Sequence, residues 1–391
     1  MIRRVALVSH SDLNIARFRS TLIRELVRDG VEVFVCVPEG PYVAAIEQTG
    51  AVVLPYPAAR GSLNPMAARK AVAVLRERLH GVEPDLVHSF THMPNIYSRL
   101  AAPKRFRPGR VVNSVTGLGS LFLGKSVASG FKKRLIRFLY RRTASRCGTL
   151  VFQNEHDLGY FQQHELCGRS RTLIIPGSGV DLDAFSPDAL SPEEREAVRR
   201  ELGIEPGDVA AIMAGRLIRD KGVAEFVEAA RLLAGRSPRV RFLLVGDADP
   251  GNPGALDRDF FNTLPSNIVH TGWREDMARI WAAGDIAVLP SYGEGMPVSL
   301  QEALASGLPV VATDVPGCRD VAAPLGKEEH ALLVPPRDVE GLALAIERLA
   351  GSKEMRQAMG SRARAKAEHA FNAQKLARDM VSLYAMLLEG P

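Results

Sequence analysis

The sequence predicts an α/β protein made of two doubly wound domains, each built around a parallel sheet. Short apolar runs alternate with helical stretches along the chain, which is the pattern of a parallel sheet covered by helices on both faces. The pattern stops in a turn-rich segment at residues 174–187 and then starts again. The length of 391 residues is ample for two domains with separate cores.

The strands are expected where the short apolar runs occur, and the first helix is expected at residues 16–28. The expected strands cover residues 5–8, 31–37, 51–54, 85–88, 111–115, 149–152, 209–214, 240–245, 268–271, 286–289 and 310–313. The predicted domains span residues 1–185 and 186–370, and a terminal helix spans 371–391. Ligands of such sheets bind at the loops beyond the carboxyl ends of the strands, so functional residues are expected there.

Composition sets the broad class of the protein. With 46% hydrophobic and 24% charged residues the chain is ordinary globular protein. The net charge of +6 suits anionic ligands or an anionic membrane surface and is too small to argue for nucleic acid. The four cysteines lack metal-like or redox-like spacing and are interpreted as reduced thiols. Neither a signal peptide nor an apolar stretch of membrane-spanning length is evident, so we expect a cytoplasmic protein, soluble or peripheral on the membrane.

Residues 291–307 carry the strongest functional signal. Pro297 suits the first position of a helix and Gly307 suits its end, and a helix start can receive a phosphate. Glu294 and Glu302 flank this start, and carboxylates accept hydrogen bonds well from sugar hydroxyls. The segment therefore predicts a ligand that is anionic in one part and hydroxyl-rich in another, such as a sugar nucleotide. The alternative is a loop acid and a surface acid with no shared ligand.

The loop from Gly215 to Gly222 joins an expected strand to an expected helix. It carries Arg216 at the strand end and Lys221 at the helix start, so both cations can converge near one helix N-terminus. Cleavage of a sugar from a nucleoside diphosphate leaves negative charge on the diphosphate, and fixed cations stabilise that charge. The alternative is two exposed loop cations.

These residues closely resemble the donor-site signature of retaining glycosyltransferases of family four. Glu294 and Glu302 are separated by seven residues, a Gly-Leu-Pro-Val-Val-Ala-Thr-Asp run follows at residues 307–314, and Arg216 and Lys221 have the family's spacing. The resemblance implies the GT-B fold, in which two Rossmann-like domains face a cleft and the last helix returns to the first domain. It implies that Glu302 holds the ribose hydroxyls and that Glu294 lies near the transferred sugar.

The resemblance further implies a UDP-sugar donor and a metal-independent front-face mechanism with no cofactor. Trp273 could line the base pocket or simply pack. The predicted donor-binding residues are Gly215, Arg216, Lys221, Trp273, Glu294, Gly295, Met296, Pro297, Val298 and Glu302. Arg216, Lys221, Glu294 and His88 are the predicted catalytic residues.

Strand-end loops of the first domain are predicted to bind the acceptor. His88 ends one strand, where it is either functional or a hydrogen-bonded core residue. The first loop lacks the glycine pair of many family members, and its polar side chains can substitute or can merely cap a helix. The predicted acceptor-binding residues are His10, Asn14, Arg19, His88, Thr116 and Gly117. These stretches look like a family subgroup that builds bacterial capsule, O-antigen and lipid-linked oligosaccharides.

A basic helix is predicted around residues 131–146, with apolar residues at helical spacing among its cations. Lys132, Lys133, Arg137 and Arg141 are predicted to bind an anionic cytoplasmic membrane surface, where a polyprenyl-linked or saccharide acceptor would be met. The alternative is a helix whose apolar stripe packs on the sheet while its charges face water.

Two other functions remain open at this level. One is a sugar-nucleotide epimerase on the same fold, which would need no acceptor. The other is a non-catalytic, membrane-associated binding subunit. The sequence leaves the hexose or N-acetylhexosamine, the nucleotide base, the acceptor, the linkage and the oligomeric state undetermined.

Overall fold

A computed structural model describes residues 2–58, 64–103, 106, 108–119, 127–252 and 254–389. The chain divides into two compact units. The first unit comprises Met1–Gly179 and Ala373–Pro391, and the second comprises Val180–Asn372. The division between Gly179 and Val180 lies within the turn-rich segment at residues 174–187, and the final segment of the chain belongs to the first unit.

The first unit is built on a seven-stranded sheet in the order β3-β2-β1-β4-β5-β6-β7, in which all strand pairs are parallel. Its strands are β1 Arg4–Val8, β2 Glu32–Val37, β3 Val52–Pro55, β4 Leu86–Phe90, β5 Val111–Val115, β6 Thr149–Phe152 and β7 Arg171–Ile174. Its first helices are α1 Asp12–Phe18, α2 Ser20–Arg28, α3 Val43–Glu47, α4 Pro65–Val82, α5 His92–Ala101, α6 Val127–Thr143 and α7 Glu155–Gln163.

Both faces of this sheet are buried. In β1, Val5 and Leu7 belong to one hydrophobic cluster, whereas Ala6 and Val8 belong to another. Successive strand residues point to opposite faces, so apolar residues at consecutive positions require helices on both sides. This explains why the central strands are continuous apolar runs.

The second unit is built on a six-stranded parallel sheet in the order β10-β9-β8-β11-β12-β13. Its strands are β8 Val209–Ala214, β9 Val240–Val245, β10 Ile268–Gly272, β11 Ile286–Leu289, β12 Val310–Thr313 and β13 Ala331–Val334. The remaining helices are α8 Pro192–Glu201, α9 Val223–Arg236, α10 Arg258–Asn262, α11 Met277–Ala283, α12 Val298–Ala305, α13 Pro316–Ala322, α14 Val339–Ala350, α15 Lys353–Ala370 and α16 Ala373–Glu389.

The last helix, α16, returns to the first unit. Leu383 and Tyr384 are buried in the same cluster as Val5 and Leu7 of β1, and α16 packs against α2. The predicted fold class is confirmed: two doubly wound parallel-sheet units, with the terminal helix on the first. Among the described residues, no helix is both long enough and apolar enough to cross a bilayer.

Candidate functional site

Helix α12 and the loop before it form the centre of the candidate site. The sequence predicts Pro297 at the first position of this helix. In the structure Pro297 is the N-cap residue, and the helix begins one position later at Val298. At the other end Gly307 has a φ of +72° and donates its N–H to Leu304 O, while Leu308 donates to Ala303 O. This pair of bonds is the Schellman ending that a left-handed glycine allows. The helix packs its apolar face in the core, which leaves Glu302 part-buried on another face.

Glu302 is oriented by a tryptophan that the sequence did not indicate. Trp281 in α11 is 1% exposed, and its indole Nε1 donates to Glu302 Oε2 over 3.1 Å. A buried indole N–H needs an acceptor, and a carboxylate is a strong one. The predicted tryptophan, Trp273, instead follows β10 and is 40% exposed, an exposure that does not fit a role in core packing.

Glu294 is in direct contact with Lys221. Lys221 Nζ lies 2.6 Å from Glu294 Oε1, and their side chains are 22% and 10% exposed. The hydroxyl of Ser291 donates to the same carboxylate oxygen, and Ser291 is itself fully buried. The side-chain hydroxyl of Thr313 donates to Ser291 O, so the end of β12 fixes the loop that carries Glu294.

Two glycines let the backbone close around this pair. Gly222 has a φ of +73°, and a Cβ there would come within 2.1 Å of Pro290 O. A Cβ on Gly317 at the start of α13 would lie 2.4 Å from Gly295 O and 2.6 Å from Glu294 O. Only glycine fits such close approaches. The loop of Glu294 therefore lies between the start of α9 and the start of α13.

Arg216 has a different carboxylate partner. Its Nη1 lies 2.9 Å from Asp249 Oδ2, and its side chain is 44% exposed. The loops after β8 and β9 approach closely, since a Cβ on Gly246 would lie 2.0 Å from Gly215 O. Lys221 is thus paired with Glu294, whereas Arg216 is paired with Asp249 in the loop that follows the neighbouring strand β9.

The remaining residues that the sequence predicts to bind the donor differ in burial. Met296 is 7% exposed and packs in the core cluster beneath α12. Gly295 and Val298 are part-buried at the start of the helix. Cys318 is fully buried nearby, and burial together with the charge of Glu294 raises the pKa of its thiol. Among the described residues, no group of three or more His, Cys, Asp or Glu side chains has a metal-binding arrangement.

In the first unit, His88 is a fully buried residue with both ring nitrogens bonded. Nδ1 contacts Tyr384 Oη at 2.5 Å and Nε2 contacts Ser114 Oγ at 2.7 Å. Burial holds the pKa of His88 well below its ordinary range. This geometry favours the core-residue alternative over the predicted catalytic role, because neither nitrogen is left for a substrate.

The loops after β1 and β4 meet through side chains. His10 Nδ1 lies 2.9 Å from Thr91 Oγ1. Thr91 has a φ of +73°, which a β-branched residue adopts only under strain, and such strain clusters at functional sites. No sequence signal marks Thr91. Asn14 contributes its backbone N–H to the side-chain oxygen of Ser11, which caps α1 as the helix-cap alternative expects.

The loop of Thr116 and Gly117 is supported from below by His92, whose Nε2 lies 3.1 Å from Leu118 O and whose Nδ1 lies 3.1 Å from Tyr140 Oη. Burial lowers the pKa of His92 to about 4, so the ring is neutral at pH 7. His92 therefore acts as a support for this loop.

Helix α6 carries the four cations that the sequence predicts to bind a membrane surface. Arg137 donates from Nε to Tyr160 Oη over 2.9 Å, and Arg141 donates from Nη2 to His164 O over 2.8 Å. Both arginines are thus bonded along the protein surface. Two phenylalanines of α6 are exposed instead: Phe131 by 68% and Phe138 by 58%. Lys132 and Lys133 are part-buried between these groups.

Two family models match the chain. The model described as Glycosyl transferase 4-like domain matches residues 15–177, and the model described as Glycosyl transferases group 1 matches residues 209–352. Two doubly wound units with this pairing of models define a two-domain glycosyltransferase, which confirms the predicted enzyme class.

Curated relatives narrow the class. The chain is 33% identical over 320 residues to N,N'-diacetylbacillosaminyl-diphospho-undecaprenol alpha-1,3-N-acetylgalactosaminyltransferase of Campylobacter jejuni, covering 81% of each protein. It is 27% identical over 321 residues to UDP-Gal:alpha-D-GlcNAc-diphosphoundecaprenol alpha-1,3-galactosyltransferase of Escherichia coli, covering 81% of this chain and 79% of that one. The chain belongs to glycosyltransferase family four, and its likeness to the bacterial surface-glycan subgroup is confirmed.

Solved structures agree on the fold. Sucrose-phosphate synthase from Thermosynechococcus elongatus superposes with a TM-score of 0.80 at 20% identity, over 100% of both chains. Anabaena HepE in complex with UDP and glucose superposes with a TM-score of 0.80 at 21% identity, over 98% of this chain and 100% of that one. At these identities the likeness concerns the GT-B fold alone.

Proposed function

We propose that the chain transfers a hexose or N-acetylhexosamine from a UDP-sugar to a saccharide carried on a polyprenyl diphosphate. Transfer retains the anomeric configuration and contributes to a bacterial surface glycan. The names of the Campylobacter and Escherichia relatives support this acceptor class, since both act on sugars linked to diphospho-undecaprenol.

The contact between Lys221 and Glu294 is the observation that carries the proposal. It joins a cation at the start of α9 to an acid before α12, at the carboxyl ends of β8 and β11 where ligands of such sheets bind. Glu302 lies further along the chain than Glu294, within α12, and its carboxylate accepts a hydrogen bond from Trp281. A diphosphate needs the cation, and sugar hydroxyls need the acids.

The chemistry asked of these residues is charge stabilisation and orientation. The bond between the anomeric carbon and the diphosphate breaks, the acceptor hydroxyl attacks from the same face, and its proton passes to the departing phosphate. Lys221 and Arg216 stabilise the charge that develops on the diphosphate. Glu302 orients the ribose and Glu294 orients the transferred sugar. No protein nucleophile or bound metal is required in this scheme.

The proposal is tested by product analysis with purified protein. UDP-galactose, UDP-glucose, their N-acetylamino counterparts and GDP-mannose are each incubated with a sugar diphosphate on a short polyprenyl chain. We expect an α-linked product from at least one UDP-sugar, seen by mass spectrometry and assigned by NMR, and loss of product in Glu302→Gln. Conversion of a donor without acceptor would indicate an epimerase, and absence of both donor binding and product would indicate a non-catalytic subunit.

We further propose that α6 docks on an anionic membrane through a surface formed by Phe131, Arg134, Phe138 and Arg142. These four residues are exposed and follow one another at intervals of three and four positions, so they share one helix face. Helix α6 contains no acidic residue. Each basic residue near an anionic surface contributes about 1 kcal/mol, and buried phenylalanine rings add to this.

Vesicle sedimentation tests this surface. Wild-type protein is expected to bind vesicles containing phosphatidylglycerol and to bind phosphatidylcholine vesicles much more weakly. The double variant Phe131→Ser, Phe138→Ser should lose most of this binding. The matched control is Arg137→Gln, Arg141→Gln, which removes two cations that bond along the protein surface and should retain more binding. Equal binding by wild type and the phenylalanine variant would overturn the proposal.

A further inference from the structure

Among the residues that the structure describes, Arg19 is a half-buried cation that has no anionic partner. It lies at the junction of α1 and α2, and its guanidinium carbon is 4.3 Å from the centroid of the Phe90 ring at the end of β4. Over the described residues, no carboxylate, carbonyl or hydroxyl accepts a hydrogen bond from its guanidinium. Burial lowers the pKa of Arg19 to about 10.

Three other shielded arginines have acceptors, of which the fully buried Arg99 donates to Asn113 Oδ1 and to Tyr140 O. Arg199 is 4% exposed and pairs with Asp285 over 2.9 Å, and Arg274 pairs with Asp276 over 2.8 Å. Removal of a guanidinium from water without such a partner is unfavourable, because the lost hydration is not replaced. The Phe90 ring offsets only part of this cost, so an anionic ligand at Arg19 would explain the placement of the guanidinium.

The surroundings of Arg19 suit an anion. His88 beside it is neutral, Tyr384 lies close by, and no acidic side chain faces the guanidinium among the described residues. Phe90, over which the guanidinium lies, is the last residue of β4, and doubly wound sheets bind ligands beyond the carboxyl ends of their strands. A planar guanidinium forms two parallel hydrogen bonds with phosphate oxygens, a geometry that sugar hydroxyls do not offer.

We propose that Arg19 binds the diphosphate of the acceptor and thereby positions the acceptor sugar. This inference rests on the proposed function, which supplies an acceptor that carries a diphosphate. The proposal assigns binding of the acceptor diphosphate to Arg19 of the first unit. Binding of the donor diphosphate is assigned to Lys221 and Arg216 of the second unit.

Steady-state kinetics test the assignment with two acceptors that carry the same sugar, one on a polyprenyl diphosphate and one on a neutral alkyl chain. Arg19→Met should raise the KM for the diphosphate acceptor by about 10- to 100-fold. The KM for the UDP-sugar and the rate with the alkyl glycoside should stay unchanged. Arg19→Lys should recover part of the loss. Arg24→Met, an exposed position on α2, is the matched control and should behave as wild type.

Two outcomes would overturn the assignment: an equal loss with both acceptors, or a rise in donor KM. Thermal unfolding separates binding from folding, since a cation without a partner should leave Arg19→Met at least as stable as wild type. A purely structural arginine would give a lower midpoint.

A binding measurement keeps this test independent of transferase activity. With UDP present at saturation, geranylgeranyl diphosphate should bind wild type and should bind Arg19→Met about tenfold more weakly, whereas geranylgeraniol should not distinguish them. If no acceptor is glycosylated while this difference holds, the proposed transfer fails and the anion site stands. If transfer occurs while this difference is absent, the anion site fails and the transfer stands.

Discussion

The hydrogen bond from Trp281 to Glu302 allows a quantitative test of the donor site. Trp281→Phe removes the indole N–H and leaves Glu302 Oε2 without that donor. A hydrogen bond to a charged group contributes about 1.5–3 kcal/mol. In the proposed function part of this energy orients the carboxylate toward the ribose of the donor, so we expect UDP to bind about 5- to 50-fold more weakly.

The same substitution also leaves a space in the core, because Trp281 is 1% exposed within a hydrophobic cluster. Such a change costs about 1–3 kcal/mol of unfolding free energy by itself. Ile280→Val is the matched control, since Ile280 is fully buried in the same helix and cluster. This control should lower the unfolding midpoint while leaving UDP affinity unchanged.

A double-mutant cycle by titration calorimetry decides whether Trp281 acts through Glu302. In the Glu302→Gln background, Trp281→Phe should have little further effect on UDP affinity, because its partner carboxylate is already gone. If the two losses simply add, or if Ile280→Val weakens UDP binding equally, then Trp281 stabilises the fold and does not orient the site.

Three further predictions concern turnover, metal and pH. Lys221→Ala should lower kcat by about 100-fold, with a smaller change in the KM for the donor. Adding Glu294→Gln to this variant should restore stability but not activity, because it removes the carboxylate that Lys221→Ala leaves without its ion-pair partner. Excess EDTA should leave the rate unchanged, and loss of activity that Mg²⁺ or Mn²⁺ restores would contradict the metal-independent scheme. Burial lowers the pKa of His92 to about 4, so the folded state binds fewer protons than the unfolded chain between the ordinary value near 6.5 and 4. The urea midpoint should therefore fall as pH drops through that range, and His92→Gln should flatten the dependence.

The sequence predicts the central strands of both sheets because they are buried on both faces and therefore read as apolar runs. The strands β7 and β13 escape prediction, although the outer strand β3, which is as short and as exposed as β7, is predicted. The expected helix at 16–28 is interrupted at Arg19, where ψ is −2°. Neither glycine nor proline marks this interruption, so local sequence gives no warning of it.

The donor loop is predictable for a similar reason. Glu294 and Glu302 lie on one short segment, and residues within that segment mark where its helix begins and ends. Their supports come from elsewhere: Lys221 lies 73 positions before Glu294, and Trp281 lies 21 positions before Glu302. Asp249, which holds Arg216, comes from the neighbouring strand end. Local patterns identify the acids, and only the fold identifies what orients them.

His88 and Arg19 show where sequence reasoning reaches its limit on the acceptor side. The sequence predicts that both residues bind the acceptor, and it predicts a catalytic role for His88 as well. In the fold, His88 meets the hydroxyl of Tyr384 from 296 positions away and becomes a satisfied core residue. Arg19 lies near the same tyrosine, and within the described part of the chain no group accepts a hydrogen bond from its guanidinium. A buried polar group with all partners present needs no ligand, whereas a half-buried cation without one indicates a ligand. The functional assignment of the two residues therefore follows from their hydrogen-bond partners, which only the tertiary structure supplies.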